Sequence, residues 1–451
     1  MPFACRFSTF IRMQSTSSLL ARLDGSVRLL KAPAQSGPAA QRDPAVIATV
    51  SEMLTTIAAG GIDAIHDYAN RLDHSTGGVL ELDAHAVAAA ADRLKPELRE
   101  ALELGAARTH AFAVETRSHL VDFETELIPG LFTGVRYVPV QRVGAYLPAG
   151  RFPLLASAFM TVNVAKVAGC ESVTICTPPQ SDGSADPAVL YAAAISGADH
   201  YFLLGGVQAL AAMAYGLLGQ PPVDMLVGAG NAFVAEAKRQ LFGTVNIDLL
   251  AGPSEVAVIA DETADPALVA ADLLGQAEHG PTSPAALVTT SETFGHAVIA
   301  AVEKQLPMLS TRDICGPAWQ DYGSVIWARD VDTAIELMDD LAPEHLEIQT
   351  ADDDQYFARL RNYGSLFIGS WSTVAYSDKG MAGTNHVLPT AGGAKHSAGL
   401  SVSRFLKPLT YQRVERATTP ELARAVDTIS SYEGMAAHRA TATRRLDLWG
   451  G

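Results

Sequence analysis

The sequence predicts an α/β fold of two adjacent lobes, each with a mostly parallel sheet, between helical N- and C-terminal segments. Three observations carry that expectation. The chain has 451 residues, too many for one simple core. Hydrophobic residues make up 48% and charged residues 18%, so apolar material for two packed cores is present. From about residue 155 to residue 341, strand-length apolar runs alternate with helix-length segments, which is the pattern of βαβ units.

A short arm comes first. Helical periodicity then dominates to about Ser118, as in residues 43–71 and 84–109. An extended segment covers 134–146. The alternation begins with a helix near 155–168, a strand at 172–177 and a helix near 187–196. A strand at 200–204 leads into a helix from about Gln208, and a strand at 224–227 leads into the helix 232–241. A second set follows: strand 256–260, helix 266–277, strand 286–289 and helix 292–306, continued by the pieces 324–328 and 332–341. From roughly Thr390 the chain reads as helical and more polar. The expected division is an N-terminal arm (1–42), a discontinuous first α/β lobe (43–143 and 254–389), a second lobe (144–253) inserted in it, and a C-terminal helical tail (390–451). Both lobes are expected to be Rossmann-like.

Charge and cysteine content narrow the class. The formal charge of -16 arises from 49 acidic against 33 basic side chains. Such a surface repels phosphate backbones and anionic lipid, so neither nucleic acid nor a membrane is expected as partner. Its plain consequence is solubility. Cys5, Cys170, Cys176 and Cys315 form no C-x-x-C pair, which argues against a disulfide framework or a thiolate zinc site and for a reducing compartment. Cys170 and Cys176 flank a strand-like run and read as small core residues. The first 23 residues carry Arg6, Arg12 and Arg22 with several serines and no acid before Asp24, the look of an organellar presequence. Met13 is an alternative start, and a cytoplasmic protein is the expectation. The longest uncharged stretch, 201–223, is broken by glycines, glutamines and two prolines, so it reads as a buried helix with loops and not as a membrane span.

The usual dinucleotide fingerprint, G-x-G-x-x-G after a strand, is absent. Three other glycine-bearing turns end strands and precede helices: Gly144 to Gly150 around Tyr146, Gly205-Gly206-Val207-Gln208, and Gly228-Ala229-Gly230-Asn231. Backbone amides and a helix N-terminus there could face an anionic ligand, although glycine at such places is usually turn chemistry. Gln276 and His279 lie three apart on a helix, so one face could offer both to one metal ion. Glu344-His345 pairs a carboxylate with an imidazole, Asp378 and His386 bracket a Gly-Thr-Asn turn, and Glu433 and His438 sit on a late helix. Taken singly, each also has a structural reading, since histidine is more often hydrogen-bonded or at the surface than a ligand.

Taken together, four segments resemble the histidinol dehydrogenase family. They are Ile247-Asp248-Leu249-Leu250-Ala251-Gly252-Pro253-Ser254-Glu255, Gly275-Gln276-Ala277-Glu278-His279, Ala342-Pro343-Glu344-His345-Leu346, and Ala382-Gly383-Thr384-Asn385-His386-Val387-Leu388-Pro389-Thr390. Order and spacing agree over about Val46 to His438. The resemblance implies one zinc ion per subunit, held by Gln276, His279, Asp378 and His438, and NAD+ at Tyr146, Gln208 and Asn231. It implies Glu344 and His345 as the catalytic pair. Ser254, His386 and Glu433 would contact the substrate, with Gln276, His279, His345, Asp378 and His438 around it. His345 would take the alcohol proton as hydride leaves, and Glu344 would activate water for a second oxidation. L-histidinol, oxidised to L-histidine, is the substrate the family implies, and a homodimer with shared active sites is the assembly.

The chain departs from the family where the aspartate ligand usually stands. Lys379 occupies that place, and a protonated lysine offers no lone pair to a metal. The ligand role is therefore given to Asp378, with a one-residue bulge in the loop 377–382. Ser377-Asp378-Lys379-Gly380 looks more like a branch that includes sulfopropanediol dehydrogenases, and Ala149 and Ala229 also replace family residues. Two substrate readings stay open: Glu433 would suit an amino alcohol such as histidinol, and Lys379 an anionic alcohol. An inactive binding homolog and a metal-dependent hydrolase are the readings from other classes.

Overall fold

The computed structural model describes residues 25–35, 43–73, 80–149 and 152–449. The basic, serine-rich start with Met13, and with it Cys5, His74 and Gly150, lies outside the described residues.

Two six-stranded sheets organise the chain. The first contains β5 (Arg142–Tyr146), β6 (Ser172–Thr177), β7 (His200–Leu203), β8 (Met225–Val227) and β9 (Asn246–Ile247), all parallel, with the short β2 (Leu80–Glu81) antiparallel at one edge. Its order is β2-β7-β6-β5-β8-β9, so the winding reverses between β5 and β8. A reversal of this kind opens a crevice at the strands' C-terminal ends. The second sheet contains β10 (Val256–Ala260), β11 (Ala285–Thr289), β12 (Gly323–Ala328), β13 (His345–Gln349) and β14 (Ser365–Ile368), again parallel. Strand β1 (Val27–Lys31) closes one edge antiparallel to β12, giving the order β1-β12-β11-β10-β13-β14. Strands β10 and β11 are buried along their whole length, as expected of a sheet covered on both faces.

Helix starts use one device repeatedly. Asp43-Pro44, Asp186-Pro187 and Asp265-Pro266 each place an aspartate at the N-cap, accepting a backbone N–H, and a proline in the first turn. The helix Pro44–Leu72 is long and apolar enough to cross a bilayer. It is kinked at Gly61, and its buried stripe of Val50, Leu54, Ile57 and Ile65 packs on the helices Gly206–Tyr215 and Ala232–Leu241. It buries that one stripe, and the rest of its surface is largely exposed.

Several expectations need correction. The tail does not run helical from Thr390: β15 (Leu406–Val414) pairs along nine residues with β4 (Leu131–Pro139), and β3 (Phe123–Ile128) completes a three-stranded antiparallel sheet. Pro408 is tolerated because β15 is an edge strand. The helices Thr419–Tyr432 and Ala436–Trp449 come only after it. The helix expected over 84–109 is two, Ala84–Asp92 and Pro96–Ser118, because Pro96 opens a new first turn. The arm supplies β1. The helix Pro44–Leu72 packs on helices of the sheet of 142–247 and β2 pairs with its strand β7, not with the sheet of 256–368 to which the expected first lobe assigns them. Strands β13 and β14 and the helix Arg312–Tyr322 are elements the sequence pattern did not announce.

Candidate active site

The second sheet offers its N-terminal edge. Ser254 and Glu255 lead into β10, Glu344 leads into β13, and the register sets Val256 beside His345. The Glu255 carbonyl accepts both the His345 backbone N–H, at 3.3 Å, and its Nδ1, at 3.0 Å. That contact puts a proton on Nδ1 and makes Nε2 the nitrogen that gains or loses one. Nε2 is buried and has no hydrogen-bond partner. Burial opposes a charge on this ring. The Glu344 carboxylate 3.4 Å from Nδ1, the Asp378 carboxylate and the Glu255 carbonyl outweigh it and lift the His345 pKa to about 9.

Glu344 is held by a short chain of bonds. Its Oε2 accepts from Ser254 Oγ at 2.7 Å and from the Glu255 backbone N–H at 2.8 Å. Ser254 Oγ in turn accepts from Gln276 Nε2 at 2.6 Å. Gln276 closes the helix Pro266–Ala277, and His279 follows just beyond it. His279 Nε2 lies 3.4 Å from Asp378 Oδ2, and His345 Nε2 lies 3.9 Å from Asp378 Oδ1, so one carboxylate stands between two imidazoles. Burial opposes the Asp378 charge, but the hydrogen bond from His279 and the fields of His386, His345 and His279 hold it well below the carboxylate range.

Asp378 ends the five-residue helix Val374–Asp378, and its carbonyl lies 3.3 Å from His386 Nδ1. His386 Nε2 faces Ser157 Oγ at 3.4 Å. Burial lowers the His386 pKa, with Asp378 opposing and the charges of His345 and Lys379 assisting. Lys379 itself is exposed. Seven of the sequence-derived residues thus come together: Ser254, Gln276, His279, Glu344, His345, Asp378 and His386.

Glu433 and His438 do not join them. Both are exposed, one capping the helix Thr419–Tyr432 and the other on the helix Ala436–Trp449. Among the described residues no three His, Cys, Asp or Glu side chains converge to hold a metal ion. Gln276, His279 and Asp378 could hold zinc from one side, since amide oxygen, imidazole nitrogen and carboxylate oxygen are donors it takes.

The first sheet offers its C-terminal edge, where the three glycine turns lie. Tyr146 ends β5 and accepts the Gly206 N–H at 3.1 Å; burial pushes its pKa up to about 12. Gln208 is 1% exposed. Its Nε2 donates to Asp73 Oδ2 at 3.0 Å, an oxygen that also accepts the Gly205 N–H at 2.9 Å. Gln208 Oε1 is buried without a partner, so a polar ligand group is wanted there. Asn231 is exposed and caps the helix Ala232–Leu241, its Oδ1 accepting from Phe233 and Val234. Gly228 has φ +118°, and a Cβ there would lie 2.2 Å from the Tyr146 carbonyl oxygen. Only glycine fits that approach.

Sequence reasoning missed Asp73, Lys238, Asp248, Glu255, Asp272 and Glu347, which hold these side chains or the turns and helices that carry them. Asp248 and Glu255 stood inside the quoted motifs, the one available signal; the others had none.

The histidinol dehydrogenase family model matches residues 38–446. A histidinol dehydrogenase homolog of Ruegeria pomeroyi is 45% identical over 424 residues, covering 94% of this chain and 97% of that protein. The sulfopropanediol 3-dehydrogenase of the same organism is 43% identical, covering 88% and 92%. The crystal structure of histidinol dehydrogenase from Elizabethkingia anophelis matches with a TM-score of 0.87 at 31% identity, covering 91% and 94%. The chain belongs to the histidinol dehydrogenase family, whose members are NAD-dependent dehydrogenases.

Proposed function

We propose that the chain is a zinc- and NAD+-dependent dehydrogenase of a small polar primary alcohol. The observation that carries this reading is His345 Nε2, a buried ring nitrogen with no partner, facing the Asp378 carboxylate. A buried ring nitrogen without a partner calls for a ligand group at that place.

Zinc, when bound, would supply a Lewis acid that holds the substrate without redox chemistry of its own. Gln276, His279 and Asp378 are the residues to hold it. Gln276 spends its Nε2 on Ser254, which leaves the amide oxygen for the metal. His345, in its neutral form, takes the alcohol proton at Nε2, and NAD+, when bound, would supply the hydride acceptor. Glu344, oriented by Ser254 and the Glu255 N–H, activates water for attack on the aldehyde, which permits a second oxidation. Gln208 Oε1, Tyr146 and the turn at Asn231 are the cofactor's contacts.

Glu433 and His438 act, in this reading, in the site of a second copy. Their exposure outside the cluster supports it, as do Ile429 and Tyr432, apolar side chains left bare on the helix that Glu433 caps. The free, buried thiols of Cys170, Cys176 and Cys315 support a reducing, cytoplasmic setting.

Two substrates compete. L-histidinol follows from the motifs and from Glu433. An anionic alcohol is favoured by Lys379, whose charge reaches His386. It is favoured also by the 43% identity to the sulfopropanediol 3-dehydrogenase, against 39% to histidinol dehydrogenase 1 of a Nostoc species. The test is NADH formation by the zinc-loaded protein with L-histidinol beside sulfonated, carboxylated and neutral primary alcohols. Turnover of histidinol with two NADH per molecule would make Lys379 a bystander. Turnover of the anionic alcohols alone would assign Lys379 to the substrate. Silence on every alcohol, with zinc bound, would sink the dehydrogenase reading.

A further inference from the structure

Strand β13 is a central strand, where apolar side chains are expected on both faces. Leu346 and Ile348 meet that expectation on one face. The other face carries His345, Glu347 and Gln349 in a file, since alternate residues of a strand share a side. Glu347 has no exposed surface. Beside it lies Asp272, one turn before Gln276 on the helix Pro266–Ala277.

The bonds around these two carboxyls reach three elements. Gln349 Nε2 donates to Asp272 Oδ2 at 2.8 Å and to Glu347 Oε2 at 3.2 Å. Thr373, at the N-cap of the helix Val374–Asp378, donates its hydroxyl to Asp272 Oδ1 at 3.0 Å. The Val374 N–H donates to Glu347 Oε1 at 3.1 Å. Gln349 Oε1 is left buried and unpartnered, because turning the amide over would aim that oxygen at two carboxyls. Burial, then the facing Asp272 carboxylate and a hydrogen bond to it, raise the Glu347 pKa well above the carboxylate range. Two adjoining carboxylates cannot both ionise cheaply in such a place, so Glu347 keeps its proton and donates it to Asp272.

We propose that Asp272 and Glu347 form a carboxyl–carboxylate clamp that positions the metal-binding side chains. It locks the helix of Gln276, the strand of His345 and the helix of Asp378 to one another. Neither residue touches the substrate; both act through the groups they hold. The inference rests on the reading above that Gln276, His279 and Asp378 bind zinc. Supporting groups behind metal ligands set ligand orientation and hence affinity.

The test compares Glu347→Ala, Glu347→Gln and Thr373→Val with the unaltered protein. Zinc affinity is measured by competition with a chromophoric chelator, beside kcat, both KM values and thermal melting. Glu347→Ala is expected to weaken zinc binding by about tenfold or more and to lower kcat, with the KM for NAD+ unchanged. Glu347→Gln replaces the shared proton with an amide N–H and is expected to restore most of the affinity. Thr373→Val removes one bond outside the pair and is expected to weaken zinc binding less, in the same direction. Folded Glu347→Ala with unchanged zinc affinity overturns the clamp. Should Glu347→Ala not fold, unchanged zinc affinity in Thr373→Val overturns it equally. An unaltered protein that binds no zinc overturns the metal reading itself, and the clamp's role with it.

Discussion

Lys238 and Asp248 form a buried ion pair that closes around the Gly228 peptide. Lys238 Nζ donates to the Gly228 carbonyl at 2.9 Å, and the Gly228 N–H donates to Asp248 Oδ2 at 2.7 Å. Their side chains are 4% and 0% exposed. The pair therefore fixes a left-handed glycine in the turn that approaches Tyr146. Removing one partner strands a buried charge, which costs about 3–5 kcal/mol. Lys238→Met is expected to lose that much stability and to raise the KM for NAD+ more than the KM for the alcohol. The double variant Lys238→Met/Asp248→Asn is expected to recover part of the loss. Urea unfolding and steady-state kinetics check both; a single variant as stable as the parent would remove the pair from the account.

The catalytic pair can be separated by stoichiometry. His345→Asn is expected to cut kcat by about a hundredfold to ten-thousandfold, the range for losing a general base, while bound zinc is retained. Glu344→Gln keeps an oxygen for Ser254 and the Glu255 N–H but loses the base that activates water. It is expected to release aldehyde and to form one NADH per alcohol where the parent forms two. Counting NADH against substrate consumed decides it, and two NADH from Glu344→Gln would take the water step away from this residue.

How far the molecule was legible in its sequence follows from what kind of interaction each feature needs. The βαβ alternation between 172 and 341 was readable because its periodicity is local. Strand β13 was not, because His345, Glu347 and Gln349 fill one of its faces with polar groups and hide the strand pattern. Strand β15 was read as part of a helical tail because its partner β4 is remote and Pro408 weakens the pattern. Among the site residues, Ser254, Gln276, His279, Glu344, His345, Asp378 and His386 stood out as motifs, by residue type. Their supports did not. Asp73 meets Gln208 across 135 residues and Asp272 meets Gln349 across 77. Only the folded backbone brings such pairs together.

Glu255 should leave a mark on the pH dependence of stability. Burial and the neighbouring Glu344 carboxylate raise its pKa from 4.5 to about 7 in the folded chain. Below the unfolded value both states hold the proton, and the full contribution is present. Between the two values the unfolded chain gives up its proton first, so stability declines as pH rises through about 7 and is flat above it. Glu255→Gln removes this component. In zinc-stripped protein the Tm of the parent is therefore expected to fall relative to the variant as pH rises from about 4.5 to about 7. Parallel curves over that range would show that Glu255 titrates normally.

A shared active site makes a sharper prediction than exposure alone. If Glu433 and His438 serve a second copy, a chain with a dead core can still lend a working tail. His345→Asn and His438→Ala should each be inactive as pure dimers. In a mixed dimer one site joins the intact core of the His438→Ala chain to the intact tail of the His345→Asn chain, and the other site carries both lesions. Unfolding and refolding an equal mixture makes half the dimers mixed, each with one working site of two. About a quarter of the parent activity is then expected, from the two-fold symmetry of such a pair. Should each tail return to its own core, the mixture would stay as inactive as its parts, because every site would keep one lesion. Differentially tagged chains, purified as mixed dimers, would then give half the parent rate per dimer in the first case and none in the second.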